Sequence, residues 1–206
     1  MDVAVCISGE FRGHKELCME SIQHYLPYTQ FTHTWEDTPI PELPSMDTFL
    51  KAFQTWIGSL PIDNPSRIWF TKKLDSGKLF HSRIYQVYNH WHCLQLVPNN
   101  YDMIIRVRPD VVLYEHDYCN DIRRAYNNDL VMGYGSGQGP SVGVTDRFAA
   151  DHIIMHKRYR MRNPYQTLLP SSGHVAWWVS LHKHLDEKFI NNDSVCKLER
   201  DIDTLQ

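Results

Sequence analysis

The most suggestive chemistry in this sequence lies in the segment Arg106-Val107-Arg108-Pro109-Asp110. Three charged residues stand at alternate positions at the end of an apolar run, so in a strand their side chains would lean toward one face. Burying such a set is costly unless the charges meet partners. A divalent cation on Asp110, with arginine facing a diphosphate, would balance the charges. A structural ion pair between Arg106 and Asp110 would balance them as well.

A second polar segment, Ser8-Gly9-Glu10-Phe11-Arg12-Gly13, follows the first apolar run of the chain. Glycine would let backbone amides approach a phosphate, and Arg12 could add a forked donor. Neither the P-loop pattern nor the complete GxGxxG pattern of dinucleotide-binding proteins occurs here. The segment therefore predicts either a phosphate-binding turn or a tight turn that carries a solvated arginine.

Later residues offer further polar groups. Asp146 either caps a helix that begins near residue 148 or faces a sugar hydroxyl as acceptor or base. His174 stands at the start of a predicted helix and either completes a cation site or simply begins that helix. His152 and His156 have the spacing of a zinc pair on a helix, although HExxH and a cysteine-rich ligand set are missing. A zinc hydrolase is therefore a weaker alternative.

The hydrophobic pattern predicts the elements that must position these groups. Strands are predicted at residues 3–8, 31–35, 67–71, 103–107 and 129–133, and helices at 14–26, 46–58, 79–97, 148–162 and 172–186. This alternation indicates an α/β fold with a mostly parallel sheet and helices on both faces. Ligands of such sheets bind beyond the carboxyl ends of the strands. The polar residues that follow the strands are therefore the candidates for a binding site.

Size and composition narrow the class of protein. A chain of 206 residues suits a single domain, and a net charge of −3 without a basic stripe argues against nucleic-acid binding. Five cysteines without a CxxC pair indicate free thiols and predict a cytoplasmic protein. No apolar run approaches the roughly twenty residues that a transmembrane helix needs. The charged segment 197–206 is expected to be a frayed tail or a linker to a further domain.

Four segments, at residues 7–13, 31–35, 101–110 and 145–149, resemble the GT-A nucleotide-sugar glycosyltransferases. In particular, they resemble the small glycosyltransferase domains that chlorella-type large algal viruses encode. It implies one GT-A, Rossmann-like domain over residues 1–206, located in the host cytoplasm if the protein is viral. Residues 1–110 would bind the nucleotide, and residues 111–196 would bind the acceptor and complete a metal site.

The resemblance also implies roles for individual residues. In the family, a DXD motif holds Mn²⁺ or Mg²⁺ against the donor diphosphate. Here the triplet looks like Arg108-Pro109-Asp110, so only Asp110 carries over as a metal ligand, with His174 as the second. Arg108 and Asp146 would be catalytic. The donor would contact Ser8, Gly9, Glu10, Arg12, His33, Trp35, Lys72, Ser82, Arg83, Tyr85 and Arg106.

The activity that follows from this resemblance is transfer of a sugar from a nucleoside diphosphate to a hydroxyl of a glycan or glycoprotein. A UDP-sugar is the favoured donor, and a GDP-sugar also fits. An inverting reaction would need a carboxylate base, for which Asp146 is the candidate, whereas a retaining reaction needs none. Six tryptophans and eleven tyrosines also suit a carbohydrate-binding domain without catalytic activity.

Overall fold

A computed structural model describes residues 1–11, 14–34, 45–63, 67–68, 71, 89–129, 132–135, 151–160 and 196–198. The strands in these ranges are β1 (Val3–Gly9), β2 (Thr29–Thr34), β3 (Met103–Val107), β4 (Val111–Leu113), β5 (Met132–Gly135), β6 (Asp151–Lys157) and β7 (Cys196–Leu198). The helices are α1 (Lys15–Tyr25), α2 (Met46–Ser59), α3 (residues 89–96) and α4 (Tyr118–Asn127). A 3-10 turn, Arg158–Arg160, follows β6.

Five of the strands form one sheet in the order β2-β1-β3-β6-β5. The first three are mutually parallel, whereas β6 runs antiparallel to β3 and β5 runs antiparallel to β6. The α/β class is confirmed, but the sheet is mixed rather than mostly parallel. Neighbouring strands that pair antiparallel need no crossover helix between them.

Strand β6 replaces a helix that the sequence pattern predicts at residues 148–162, and that prediction is wrong. Its apolar residues Ile153-Ile154-Met155 form a short run that suits a buried strand as well as a helix. Pairing with β3 on one side and β5 on the other decides between them. On a strand, His152 and His156 are about 13 Å apart along the backbone, so they cannot bind one zinc ion together.

Two other predicted strands also differ from the structure. Residues Arg67, Ile68 and Thr71 are helical, so the strand predicted at 67–71 is wrong. The strand predicted at 129–133 lies three residues later, as β5. Helix α3 is the described part of the helix predicted at 79–97, and the helix predicted at 172–186 lies outside the described residues. Strand β7 pairs antiparallel with β4 and includes the first two residues of the predicted tail.

One face of the five-stranded sheet is apolar and holds the main core. It is built from alternate residues of the central strands, such as Val5, Ile105 and Met155, all of which are fully buried. Ile22 of α1 and Ile122 of α4 pack into the same cluster. Because burial of apolar surface is the main driving force for folding, this layer fixes the positions of β1 and β3.

The opposite face of the sheet is polar, although it is also buried. Helix α3 covers it, since Sγ of Cys93 on this helix lies 3.1 Å from the carbonyl oxygen of Phe31 on β2. Helices therefore cover both faces of the described sheet, as the sequence predicts.

No disulfide joins Cys6, Cys18, Cys93 or Cys119. None of the described helices combines the length and apolarity needed to cross a bilayer.

Candidate functional site

The topology places a crevice at the carboxyl ends of β1 and β3. The chain leaves β1 to form β2 on one side and later returns to form β3 on the other, with all three strands parallel. The chain connections leave in opposite directions at this point, and open α/β sheets bind ligands in the gap that results. Ile7 and Val107 are register partners here, so the residues that follow each of them are neighbours.

Gly9 and Pro109 form the direct contact between the two strand ends. Gly9 has a φ of +138°, a conformation that residues with a side chain rarely adopt. A Cβ at this position would lie 3.1 Å from Cδ of Pro109. The turn after β1 therefore requires glycine for its backbone conformation and also for the close approach of the turn after β3.

This requirement can be measured with a pair of glycine substitutions. Gly9→Ala is expected to lower the free energy of unfolding by about 2 kcal/mol because of its positive φ. Gly58→Ala is the control, because Gly58 lies in α2 and a Cβ there would meet no atom within 4 Å. It should raise stability by up to about 1 kcal/mol through helix propensity. Urea unfolding measures both, and equal effects would contradict the strained turn.

The charged residues of the turn after β3 form a forked ion pair. Arg108 donates from Nε to Oδ1 of Asp110 at 2.9 Å and from Nη2 to Oδ2 at 2.7 Å. The side chains are 11% and 6% exposed. The backbone N–H of Arg108 also donates to the carbonyl oxygen of His152 at 3.0 Å, which ties the turn to β6. A guanidinium has five N–H groups, so three remain that Asp110 does not use.

This geometry bears on the metal ligand expected at Asp110. Both carboxylate oxygens already accept hydrogen bonds from Arg108. Within the described ranges, no group of three or more His, Cys, Asp or Glu side chains has the arrangement of a metal site. These residues do not fit a cation at Asp110 unless Arg108 moves away. The pairing of Asp110 with His174 stays a prediction, because His174 lies outside the described residues.

Three residues expected to bind the donor lie in the polar layer beneath α3, and their contact with a donor stays a prediction. Ser8, His33 and Arg106 are each less than 5% exposed. Ser8 pairs in register with His33, and Nδ1 of His33 lies 3.2 Å from Oδ1 of Asn89 on α3. The structure therefore places these three side chains under a helix, while Gly9, Arg108 and Asp110 meet at the crevice.

Histidines make up much of the polar layer. Nε2 of His90 on α3 lies 3.4 Å from Nε2 of His156 on β6. Burial lowers the pKa of His156 to about 4, against the opposing effect of its hydrogen bond to the Lys157 carbonyl. Burial also lowers the pKa of His90 well below its ordinary value, and the nearby His156 and Arg106 lower it further. His92 has a pKa of about 4, because of burial and of its neighbour His33. These three imidazoles are therefore neutral at pH 7.

Glu10 directly follows Gly9 and is partly exposed at the same end of β1. The remaining candidate residues lie outside the described part of the chain, and their roles stay predictions: Arg12, Trp35, Lys72, Ser82, Arg83, Tyr85, Asp146 and His174.

The sequence argument did not find the contribution of α3 or of Pro109. Asn89, His90 and His92 line the polar layer, but they read as the polar side of an amphipathic helix. The available signal was that Ser8 shares a sheet face with Cys6, and Arg106 shares it with Ile104, because residues two apart in a strand point to the same side. It indicates that one sheet face carries polar groups which need a polar cover.

No family model and no curated protein sequence matches this chain. Among solved structures it is similar to "a glycosyltransferase involved in the glycosylation of the major capsid of PBCV-1", at 9% identity and a TM-score of 0.33. That match covers 76% of this chain and 60% of the other. A protein from STIV is similar at 12% identity and a TM-score of 0.28, over 66% of this chain and 46% of the other. The chain thus spans less than two thirds of either, and likeness at this level carries no argument about activity.

Proposed function

We propose that this protein is a nucleotide-sugar glycosyltransferase whose donor diphosphate binds in the crevice between the ends of β1 and β3. The observation that supports this most directly is the forked Arg108–Asp110 pair, which lies after β3 and next to the glycine turn after β1. A guanidinium with unused donors can bind two phosphate oxygens at once. A turn without a side chain allows the phosphates to approach the backbone.

In this proposal Arg108 offsets the negative charge that develops on the departing nucleoside diphosphate. Asp110 acts as a positioning residue, because two hydrogen bonds fix the plane of the guanidinium before the substrate arrives. Such preorganised charge is effective in a site that excludes water, since the groups need little rearrangement during the reaction. The low exposure of both side chains supports this role.

The reaction breaks the bond between the anomeric carbon and the diphosphate oxygen and forms a bond from that carbon to an acceptor hydroxyl oxygen. The hydroxyl proton passes to a base, for which we propose Asp146 if the reaction inverts the anomeric configuration. The donor proposed is a UDP-sugar, or else a GDP-sugar, and the acceptor is a hydroxyl of a glycan or glycoprotein. Whether Mn²⁺ or Mg²⁺ takes part, through Asp110 and His174, is decided by the experiment below.

The test is a thermal-shift panel of UDP- and GDP-sugars, run with Mn²⁺ and separately with EDTA. A ligand at one hundred times its Kd stabilises the native protein by about 2.7 kcal/mol, so binding should raise the unfolding temperature clearly. We expect a donor to stabilise the wild type and not Arg108→Gln. If none of the nucleotide sugars stabilises the protein in either condition, the proposal is wrong.

The same panel separates an enzyme from a carbohydrate-binding domain without activity. Donors that bind should be incubated with a set of acceptor saccharides, and the release of free nucleoside diphosphate should be measured. Release that depends on the acceptor supports a transferase. Donor binding without any release, over a broad set of acceptors, would instead favour a binding protein. Loss of activity in EDTA that Mn²⁺ restores would support the metal assignment.

A further inference from the structure

Two pairs of imidazole rings join α3 to the strands beneath it. Nε2 of His90 on α3 lies 3.4 Å from Nε2 of His156 on β6, with the two ring planes perpendicular. The ring centres of His92 on α3 and His33 on β2 are 5.2 Å apart. All four side chains are less than 5% exposed. We call these contacts the imidazole pairs.

A backbone carbonyl group sets the hydrogen positions of the first pair. Nδ1 of His156 lies 2.9 Å from the carbonyl oxygen of Lys157, so this nitrogen carries the ring hydrogen. Nε2 of His156 then has a lone pair and accepts from Nε2 of His90. A proton on His156 would replace that lone pair with a second N–H and place two donors 3.4 Å apart. This contact between α3 and β6 therefore requires a neutral His156.

The groups that surround the imidazole pairs do not compensate a positive charge. Other buried side chains of this layer are Cys6 and Ser8 on β1, Arg106 on β3, His152 on β6, and Asn89 and Cys93 on α3. The buried acids among the described residues are engaged elsewhere: Asp110 pairs with Arg108, and Asp121 binds Tyr134 on the apolar face. A proton taken up by the imidazole pairs would therefore meet the positive charge of Arg106.

The main apolar core does not include α3. That core lies on the opposite face of the sheet, where Ile22 of α1 and Ile122 of α4 pack against the central strands. The buried apolar residues of α3, Cys93 and Leu94, lie outside it. Different elements of a protein can open with different free energies. The contacts of α3 therefore allow it to leave the sheet while this core stays intact.

The carboxyl end of α3 is held by a group that does not titrate in mild acid. Arg158, directly after β6, donates from Nη2 to the carbonyl oxygen of Leu94 at 3.4 Å and from Nη1 to that of Pro98 at 3.1 Å. A guanidinium keeps its charge at every pH that a protein meets. The imidazole pairs lie in the first turn of the described helix, so acid acts on one end of α3 and leaves the other end attached.

We propose that α3 is a cover that acid releases from the sheet. Protons on the imidazole pairs detach its first turn from β2 and β6, and the helix moves about the end that Arg158 holds. This movement exposes Ser8, His33 and Arg106, three residues expected to bind the donor. The inference goes beyond the proposed function and does not rest on it, because the opening requires no nucleotide sugar.

Acid favours the open form because that form binds more protons. Burial holds the pKa of His92 and of His156 at about 4, whereas an exposed imidazole has a pKa of about 6.5. Burial, His156 and Arg106 also lower the pKa of His90. Each of these histidines can raise the equilibrium constant for opening by up to about tenfold per pH unit below about pH 6.5. The cover is therefore closed at neutral pH and opens as the pH falls.

The test is labelling of the native protein with dithiodipyridine, which reacts with thiols in acid, followed by mass spectrometry that resolves each cysteine. Cys93 reports the opening of α3, and Cys18 of α1, equally buried, is the matched control on the apolar face. Each rate is divided by the rate of the same cysteine in the urea-unfolded chain at the same pH. We expect the corrected rate at Cys93 to exceed that at Cys18 and to rise about tenfold or more per unit below about pH 6.5.

His156→Gln tests the role of the first imidazole pair. An amide oxygen can accept from His90 without taking up a proton, so the rise in Cys93 labelling should be less steep. His24→Gln, on the exposed side of α1, should label as wild type. Unfolding temperatures establish that both variants are folded.

Three results would overturn the proposal. Equal corrected rates at Cys93 and Cys18 at every pH would mean that α3 opens only when the whole protein unfolds. A corrected rate at Cys93 that is independent of pH would mean that protons do not release the helix. A folded His156→Gln variant with the full wild-type pH dependence would mean that the contact between His90 and His156 does not control the opening.

Discussion

Replacing Arg108 by glutamine should reduce the rate of sugar transfer by about a hundredfold or more. The substitution removes the guanidinium that would face the leaving diphosphate and keeps a side chain that is polar and similar in length. The decrease should appear in kcat as well as in donor affinity, since the charge on the diphosphate is greatest in the transition state. Arg124→Gln, on the exposed side of α4, is the matched control and should be as active as wild type.

The same substitution should also reduce stability, because it leaves the carboxylate of Asp110, only 6% exposed, without its cation. Breaking such a pair from one side costs about 3 kcal/mol. A lower rate could then reflect less folded protein. The double variant Arg108→Met with Asp110→Leu separates the effects, because it removes both charges and fills the space with apolar groups. It should recover most of the lost stability while remaining inactive.

Urea unfolding and turnover, measured on the wild type, Arg108→Gln and the double variant, complete this experiment. A double variant that is stable and fully active would mean that the ion pair has only a structural role at the strand end. Asp110→Asn adds a further comparison. If Asp110 only positions Arg108, Asp110→Asn should retain part of its activity in EDTA. If Asp110 is instead an essential metal ligand, EDTA should abolish the activity of the wild type as well.

The sequence correctly predicts those elements whose apolar pattern fits only one kind of secondary structure. Strands β1 and β3 are continuous apolar runs, each followed by a turn, and both form where expected. Strand β6 has an equally apolar centre but is flanked by histidines at a spacing that also suits a helix. Only its pairing with β3 and β5 settles the matter, and pairing is a property of distant segments that a local pattern does not contain.

The candidate site is predictable to a similar degree. The order of charges after β3 indicates that Arg108 and Asp110 need partners, but it does not indicate that they are partners of each other. That depends on the turn at residues 109–110, which brings side chains two positions apart into one plane. Likewise, the alternation that puts Ser8 and Arg106 on one face does not reveal that α3 covers this face.

The buried histidines predict a marked loss of stability in mild acid. In the native state, the pKa values of His92 and His156 are about 4, below the value of about 6.5 expected in the unfolded chain. Between these values the unfolded chain binds more protons, so the free energy of unfolding falls as pH decreases. Each histidine contributes up to about 1.4 kcal/mol per pH unit. His90 adds to the effect, because its pKa is lowered further by His156 and Arg106.

Stability should therefore be constant above about pH 7 and fall steeply from about pH 6.5 to pH 4. Urea unfolding at half-unit pH steps measures the slope. His156→Gln should reduce it, because an amide can accept a hydrogen bond from His90 without titrating. His24→Gln, on the exposed side of α1, is the matched control and should leave the slope unchanged. A flat profile between pH 6.5 and 4 would mean that the imidazoles beneath α3 can be protonated in the folded protein, and that α3 does not seal the polar layer from water.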